Sequence, residues 1–188
     1  MPIRLVCLAL LSVPAVNLRA RSQDAPAAPS SDPLKMVAVY NGRWHSEDES
    51  FDTKFSKASK ETVEITNTCS ASAEFYVCHQ QVSKPSGPGS ATVVFLWNAK
   101  ESLFDTYVID SGGGDAYHGH LTIHGSDYTW AAAKPDPSRP NQWRTLNTFS
   151  GPDHIVYKVQ FSSDGEHWTT TRQGNESRVG KQPAPEAR

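Results

Sequence analysis

Of the seven histidines in this 188-residue chain, His118, His120 and His124 fall in one short stretch, with Thr122 between the last two. Alternate residues of a strand point to the same side. These four side chains therefore share one face, with Tyr117, Leu121 and Ile123 on the other. A strand rises ~3.3 Å per residue, so His118 and His120 stand about 7 Å apart along the backbone and their imidazoles can converge on one metal ion. His124 lies ~13 Å beyond His120 on a straight strand, out of reach of the same ion. Zinc takes three or four ligands in a tetrahedral array. A site on His118 and His120 then needs a further ligand from another strand, with His79 or an aspartate as candidates. A row of polar residues is also what the solvent side of a barrel strand carries, and both readings fit this spacing.

Other residue patterns point to less chemistry. Glu47, Asp48, Glu49 and Asp52 crowd one segment, and paired carboxylates can hydrolyse a glycosidic bond. On a strand only Glu47 with Glu49, or Asp48 with Asp52, share a face, and a solvated acidic rim has the same composition. The sequence contains no Gly-x-Ser-x-Gly elbow for a serine hydrolase. Gly112-Gly113-Gly114 lies between strand-like runs and opens no helix, so it reads as a turn rather than a phosphate cradle. Asn175-Glu176-Ser177 fits a glycosylation sequon, which matters only in a eukaryotic secretory route. No catalytic residue is assigned. The aromatic residues remain. Trp97, Tyr107, Trp130 and Tyr157, on different strand-like runs, are the candidates to line a ligand cavity, with Trp143 and Trp168 further along the chain. Tyr and Trp bring a polar handle along with apolar bulk, which suits a semi-polar pocket as well as a packed core.

The elements that would position these residues follow from the pattern of the whole chain. Residues 1–20 read as a signal peptide: Arg4, then an apolar run from Leu5 to Val16, then a cut after Ala20, with Ala25 as the alternative. The run is shorter than the ~20 residues of a membrane span, so the mature chain is expected to be secreted or periplasmic with no membrane insertion. Removing 1–20 takes away Arg4 and Arg19 and leaves 16 basic against 20 acidic residues, so the net charge goes from −2 to −4. That balance, without a basic stripe, argues against nucleic acid as a partner. Cys7 goes with the signal, and Cys69 and Cys78 remain. In an oxidising compartment they are expected to form a disulfide across a hairpin, which the chain-entropy model values at about 2.5–3 kcal/mol.

Residues 21–33 read as a flexible linker, 34–179 as the folded domain and 180–188 as a disordered tail. Asp32-Pro33 opens a helix of two turns that Asn41-Gly42 ends. Beyond it the apolar residues alternate, as in Ile155, Tyr157, Val159 and Phe161, and turn residues punctuate the runs. About ten strands are expected, at 43–55, 61–69, 74–83, 91–98, 103–110, 116–124, 127–133, 142–149, 154–162 and 166–173. Short links make neighbours antiparallel, and without a crossover helix a parallel sheet is excluded. The fold class expected is all-β: an up-and-down antiparallel β-barrel with a short N-terminal helix, closure being the simplest way to remove sheet edges. A two-sheet sandwich is the competing architecture.

Gly42-Arg43-Trp44, placed after a short helix and opening the first strand, resembles the start of a lipocalin-type (calycin) barrel. In such barrels the Trp lies under the floor and a basic residue from the last strands packs on it. The resemblance implies that role for Gly42 and Trp44, and for Arg172 first and Arg178 next as the basic partner. Leu103–Asp110 with its Gly-rich turn, Trp130, and Ser163-Asp-Gly-Glu-His-Trp168 resemble an uncharacterised bacterial family of secreted lipocalin-like proteins. That resemblance implies a barrel and no assigned activity. Three functions follow as expectations. The first is an exported barrel holding a small apolar or amphipathic ligand. The second is a metal- or haem-binding barrel or enzyme using its histidines, although Glu47 and Asp48 stand where the haem-binding barrels would have glycines. The third is a structural scaffold.

Overall fold

The computed structural model describes residues 32–72, 74–113, 116–133 and 142–180. The expected signal peptide at 1–20, almost all of the linker and residues 181–188 of the tail lie outside them. Helix α1 (Leu34–Val37) runs into a 3-10 turn (Ala38–Tyr40). Asp32 accepts the backbone N–H of Leu34 at 3.0 Å and starts the helix. Gly42, at φ 120°, takes a backbone conformation that other residues rarely adopt and turns the chain into the first strand.

Ten strands follow: β1 (Gly42–Ser50), β2 (Ser59–Ala71), β3 (Phe75–Ser83), β4 (Gly89–Asn98), β5 (Leu103–Asp110), β6 (Tyr117–His124), β7 (Asp127–Ala132), β8 (Gln142–Phe149), β9 (His154–Ser162) and β10 (Thr169–Arg178). Each pairs antiparallel with the next, and β1 pairs with β10, so the sheet closes on itself. The all-β barrel with a short N-terminal helix is what the alternation predicted, and closure excludes the sandwich. The largest departures from the expected bounds are in β1 and β10. β1 stops at Ser50, where the chain turns away. β10 starts late, because the Asp164 carboxylate accepts the backbone N–H groups of Glu166 and His167 and holds that segment as a turn. It then continues to Arg178.

The helix and its 3-10 turn plug one end of the barrel. Val37 is fully buried there, and the core gathers Trp44, Tyr76, Phe95, Phe104, Leu121, Tyr128, Phe149 and Ile155 around it. The other end is reached by the last residues of β1 and the first of β2, β8 and β10. Cys69 and Cys78 face one another across β2 and β3 and are joined by a disulfide.

Candidate functional site

The floor of the interior is built around Tyr40. Its ring lies within 5.7–6.3 Å of the rings of Phe95, Tyr128, Trp130 and Phe149. Its hydroxyl accepts from Trp130 Nε1 (3.1 Å) and Asn147 Nδ2 (3.0 Å). Burial holds this phenol above its ordinary range, so it stays neutral. Trp44 Nε1 and Asn67 Nδ2 both donate to the Tyr40 carbonyl. Arg178 lies opposite Trp44 in the ladder and stacks over it at 4.1 Å. It also donates to the carbonyls of Val39, Asn41 and Pro152 and to Asp153 Oδ1.

The pairing of Arg172 with Trp44 is therefore corrected. Arg172 lies opposite Ser50, six residues and about 20 Å of strand from Arg178. Beyond a register shift in β10 between Thr170 and Arg172, the alternate residues Arg172, Gly174, Glu176 and Arg178 share the inward face. Arg172 pairs instead with Asp48 and, at 3.5 Å, with Glu61. The Asp48 side chain is almost fully buried and also accepts from Ser46 Oγ. Gly174 makes room for this cluster, since a Cβ there would stand 2.5 Å from both Asp48 Oδ1 and the Tyr157 ring. Burial, and then a hydrogen bond to Asp48, raise the Tyr157 phenol above its ordinary range.

Between floor and polar wall lies a cavity of about 410 Å³. Ile65, Val93, Phe95 and Trp130 give it an apolar lining, and Asn67, Gln80, Asn147 and Glu176 give it polar points. The Glu176 carboxyl is pushed up to about 7, first by burial and then by Asp48, with Arg172 acting the other way. No described residue donates a hydrogen bond to it. The volume is that of a small-molecule site. Near the opposite end, Phe55 of the β1–β2 loop packs on Phe161 (4.2 Å) and Trp143 (5.1 Å), with the Lys54 ammonium over the Phe55 and Phe161 rings.

Of the four aromatic candidates, Trp130 and Tyr157 line the cavity. Trp97 faces inward but packs on Phe104 at 5.0 Å, within the core. Tyr107 is corrected: it lies on the outer wall, 39% exposed, with its ring stacked on His118. β5 carries apolar residues on both faces, so alternation could not tell inside from outside, and Phe104 and Thr106 are the buried side. Tyr40, Asn147 and Glu176 were missed. Tyr40 reads as the end of a helix, and Glu176 falls beyond the predicted last strand.

His118, His120 and His124 share the outer face of β6, opposite in parity to the buried Gly119 and Leu121. Asp105 lies opposite His120 in the β5–β6 ladder and supplies the carboxylate missing from the sequence pair. His79 instead contacts Thr92 across β3 and β4. None of the seven histidines lines the cavity. A haem held there by a barrel histidine does not fit these residues.

The geometry defines a closed, ten-stranded antiparallel barrel with a plugged floor and an interior sized for a small molecule. The chain belongs to the family described as "Protein of unknown function (DUF1579)", whose model matches residues 30–178. No curated protein matches the chain. Among solved structures it is similar to an S-type phycobiliprotein lyase from Guillardia theta. That match has a TM-score of 0.52 and 16% identity, over 79% of this chain and 93% of that one. It is also similar to Rv2717c from M. tuberculosis, with a TM-score of 0.54 and 13% identity over 78% of this chain and 97% of that one. At these identities the likeness shows the fold, and it supports the lipocalin-like barrel expected from Gly42 and Trp44.

Proposed function

We propose that this chain is an exported bacterial binding protein that holds a small amphipathic molecule in the barrel interior and performs no reaction on it. The observation that carries this reading is the cavity of about 410 Å³, with its apolar lining and a Glu176 carboxyl to which no described residue donates a hydrogen bond. A ligand with an apolar body and one N–H or O–H group would fill the volume and complete that acceptor. Trp130 and Tyr157 would stack on its body, and Asn67 and Gln80 offer further polar contacts. A barrel of this shape also occurs in a phycobiliprotein lyase, which supports a small-molecule role for the interior. The disulfide supports an oxidising compartment and hence export.

The test uses N-phenyl-1-naphthylamine, an apolar fluorophore with a single N–H. Saturable 1:1 binding with a blue-shifted emission is expected. Thr145 lines the cavity, so Thr145→Phe, which fills it, should abolish binding while far-UV circular dichroism stays native. Glu176→Gln provides a second variant of nearly unchanged volume and should weaken binding several-fold. Absence of saturable binding, or binding that Thr145→Phe and Glu176→Gln both leave unchanged, would overturn the proposal.

A further inference from the structure

The outer wall carries a second, unrelated constellation. Asp105 Oδ1 lies 3.1 Å from His120 Nε2 and 3.6 Å from His118 Nε2. The three ligand atoms all lie within 4.8 Å of one another. A tetrahedral zinc ion with bonds of ~2.1 Å sets its ligand atoms about 3.4 Å apart. Two edges of that tetrahedron are thus already in place, and the third closes by a small imidazole rotation. Elsewhere in the barrel a histidine meets a carboxylate differently. His45 takes Glu64, and His167 takes Asp164, each through Nδ1 at 2.6 and 2.7 Å. Here two imidazoles bring Nε2 to the same carboxylate oxygen at longer range.

The surroundings hold these groups in place. Asn98 Nδ2 donates to the other oxygen, Asp105 Oδ2, at 3.1 Å and leaves Oδ1 turned toward the histidines. The Tyr107 ring lies parallel to the His118 ring, 3° apart in plane and 4.5 Å between centroids, and fixes its tilt. Ala131 is opposite His120 on β7, and Leu96 is opposite Asp105 on β4, so the neighbours across the sheet bring no competing charge. Among the described residues the ion pairs of Asp105 are those with His118 and His120. The side chains keep 25–44% of their surface exposed, which leaves coordination positions open to water or to an incoming ligand.

We propose that Asp105, His118 and His120 form a surface site for a divalent first-row transition ion. Two imidazoles and one carboxylate suit zinc, cobalt, nickel or copper over magnesium or calcium. The positioning is shared between Asn98 and Tyr107, on the pattern of outer partners that orient metal ligands. The site faces away from the cavity and stands or falls independently of the binding reading above.

Tag-free protein titrated with Co²⁺ gives the readout. One ion per chain should bind, with visible d–d absorption, and Zn²⁺ should displace it. Asp105→Asn and His120→Gln should each weaken binding at least tenfold. His124→Gln, on the same face, should leave it unchanged. His118→Ala also removes the Tyr107 stacking, so circular dichroism and the thermal midpoint without metal accompany it. The proposal is overturned if no ion binds at micromolar to millimolar Co²⁺. It is equally overturned if Asp105→Asn and His120→Gln bind as the parent does, or if His124→Gln loses binding as they do.

Discussion

Two arginines of β10 mark opposite ends of the barrel, and the chain uses them differently. Arg178, at the floor, has a side chain 2% exposed, lies on the Trp44 indole and gives its protons to three carbonyls and Asp153. The polar atoms around it are matched as well. Tyr128 donates to the Met36 carbonyl, and the Tyr40 hydroxyl serves both Trp130 and Asn147. Arg172, further up the wall, shares Nη2 between Asp48 and Glu61, and its buried Nε has no partner. Glu176, between the two arginines on the same strand, accepts nothing from the described residues. The floor is closed chemistry and holds the helix to the barrel. The wall keeps hydrogen-bonding capacity in reserve beside a cavity, which is how a binding surface differs from a core.

The largest effect should come from breaking the floor. Arg178→Ala strands three backbone carbonyls that the helix end and the β8–β9 turn present to the guanidinium, and it uncovers Trp44. A loss of about 3–5 kcal/mol is expected, as for removal of one partner from a buried polar cluster. It would be read from urea midpoints at unchanged m-value. Arg178→Lys keeps the charge but not the planar fork, so most of the loss should remain. If Arg178→Ala costs less than about 1 kcal/mol, the floor is not what holds the helix, and the contrast between the two ends fails. Tyr40→Phe is the milder version. It keeps the ring contacts and leaves Trp130 Nε1 and Asn147 Nδ2 without their acceptor, for an expected loss of about 1–3 kcal/mol.

The same contrast explains what could be read from the residues alone. The floor was partly legible because Gly42 and Trp44 follow a capped helix, and because apolar alternation in β9 marks the inward side. Strand number, order and closure came from turn residues and short links. The wall was not legible. Its inward positions on β10 are Arg172, Gly174, Glu176 and Arg178, a polar set that looks like a solvent face. The register shift after Thr170 changes which residues face in, and nothing in the local sequence announces it. The assignment of Arg172 to Trp44 failed because the last strand was expected to end at 173, whereas it runs on to Arg178, on the same inward face and six residues nearer the floor. On the outer wall the histidine pair was visible from period two. Its carboxylate depends on the β5–β6 register, which places Asp105 opposite His120.

The smallest effect should be the most specific to the wall. Glu176 holds its proton up to about pH 7 in the folded barrel, because burial and Asp48 disfavour the charged form. In the unfolded chain a glutamate releases it near ~4.3. Below that value both states are protonated and Glu176 has no influence on stability. As pH rises toward 7 the unfolded state loses its proton first, so the native state binds more protons and stability falls. Above 7 both are ionised and the penalty is constant. Glu176→Gln is neutral throughout, so it should match the parent near pH 4 and exceed it at pH 8 by on the order of 1 kcal/mol, after allowance for water entering the cavity. Denaturation of both proteins across this range is the measurement. Parallel curves would mean that Glu176 ionises as readily inside the barrel as outside it. The wall would then be as well satisfied as the floor, and no unmet acceptor would remain for a ligand to complete.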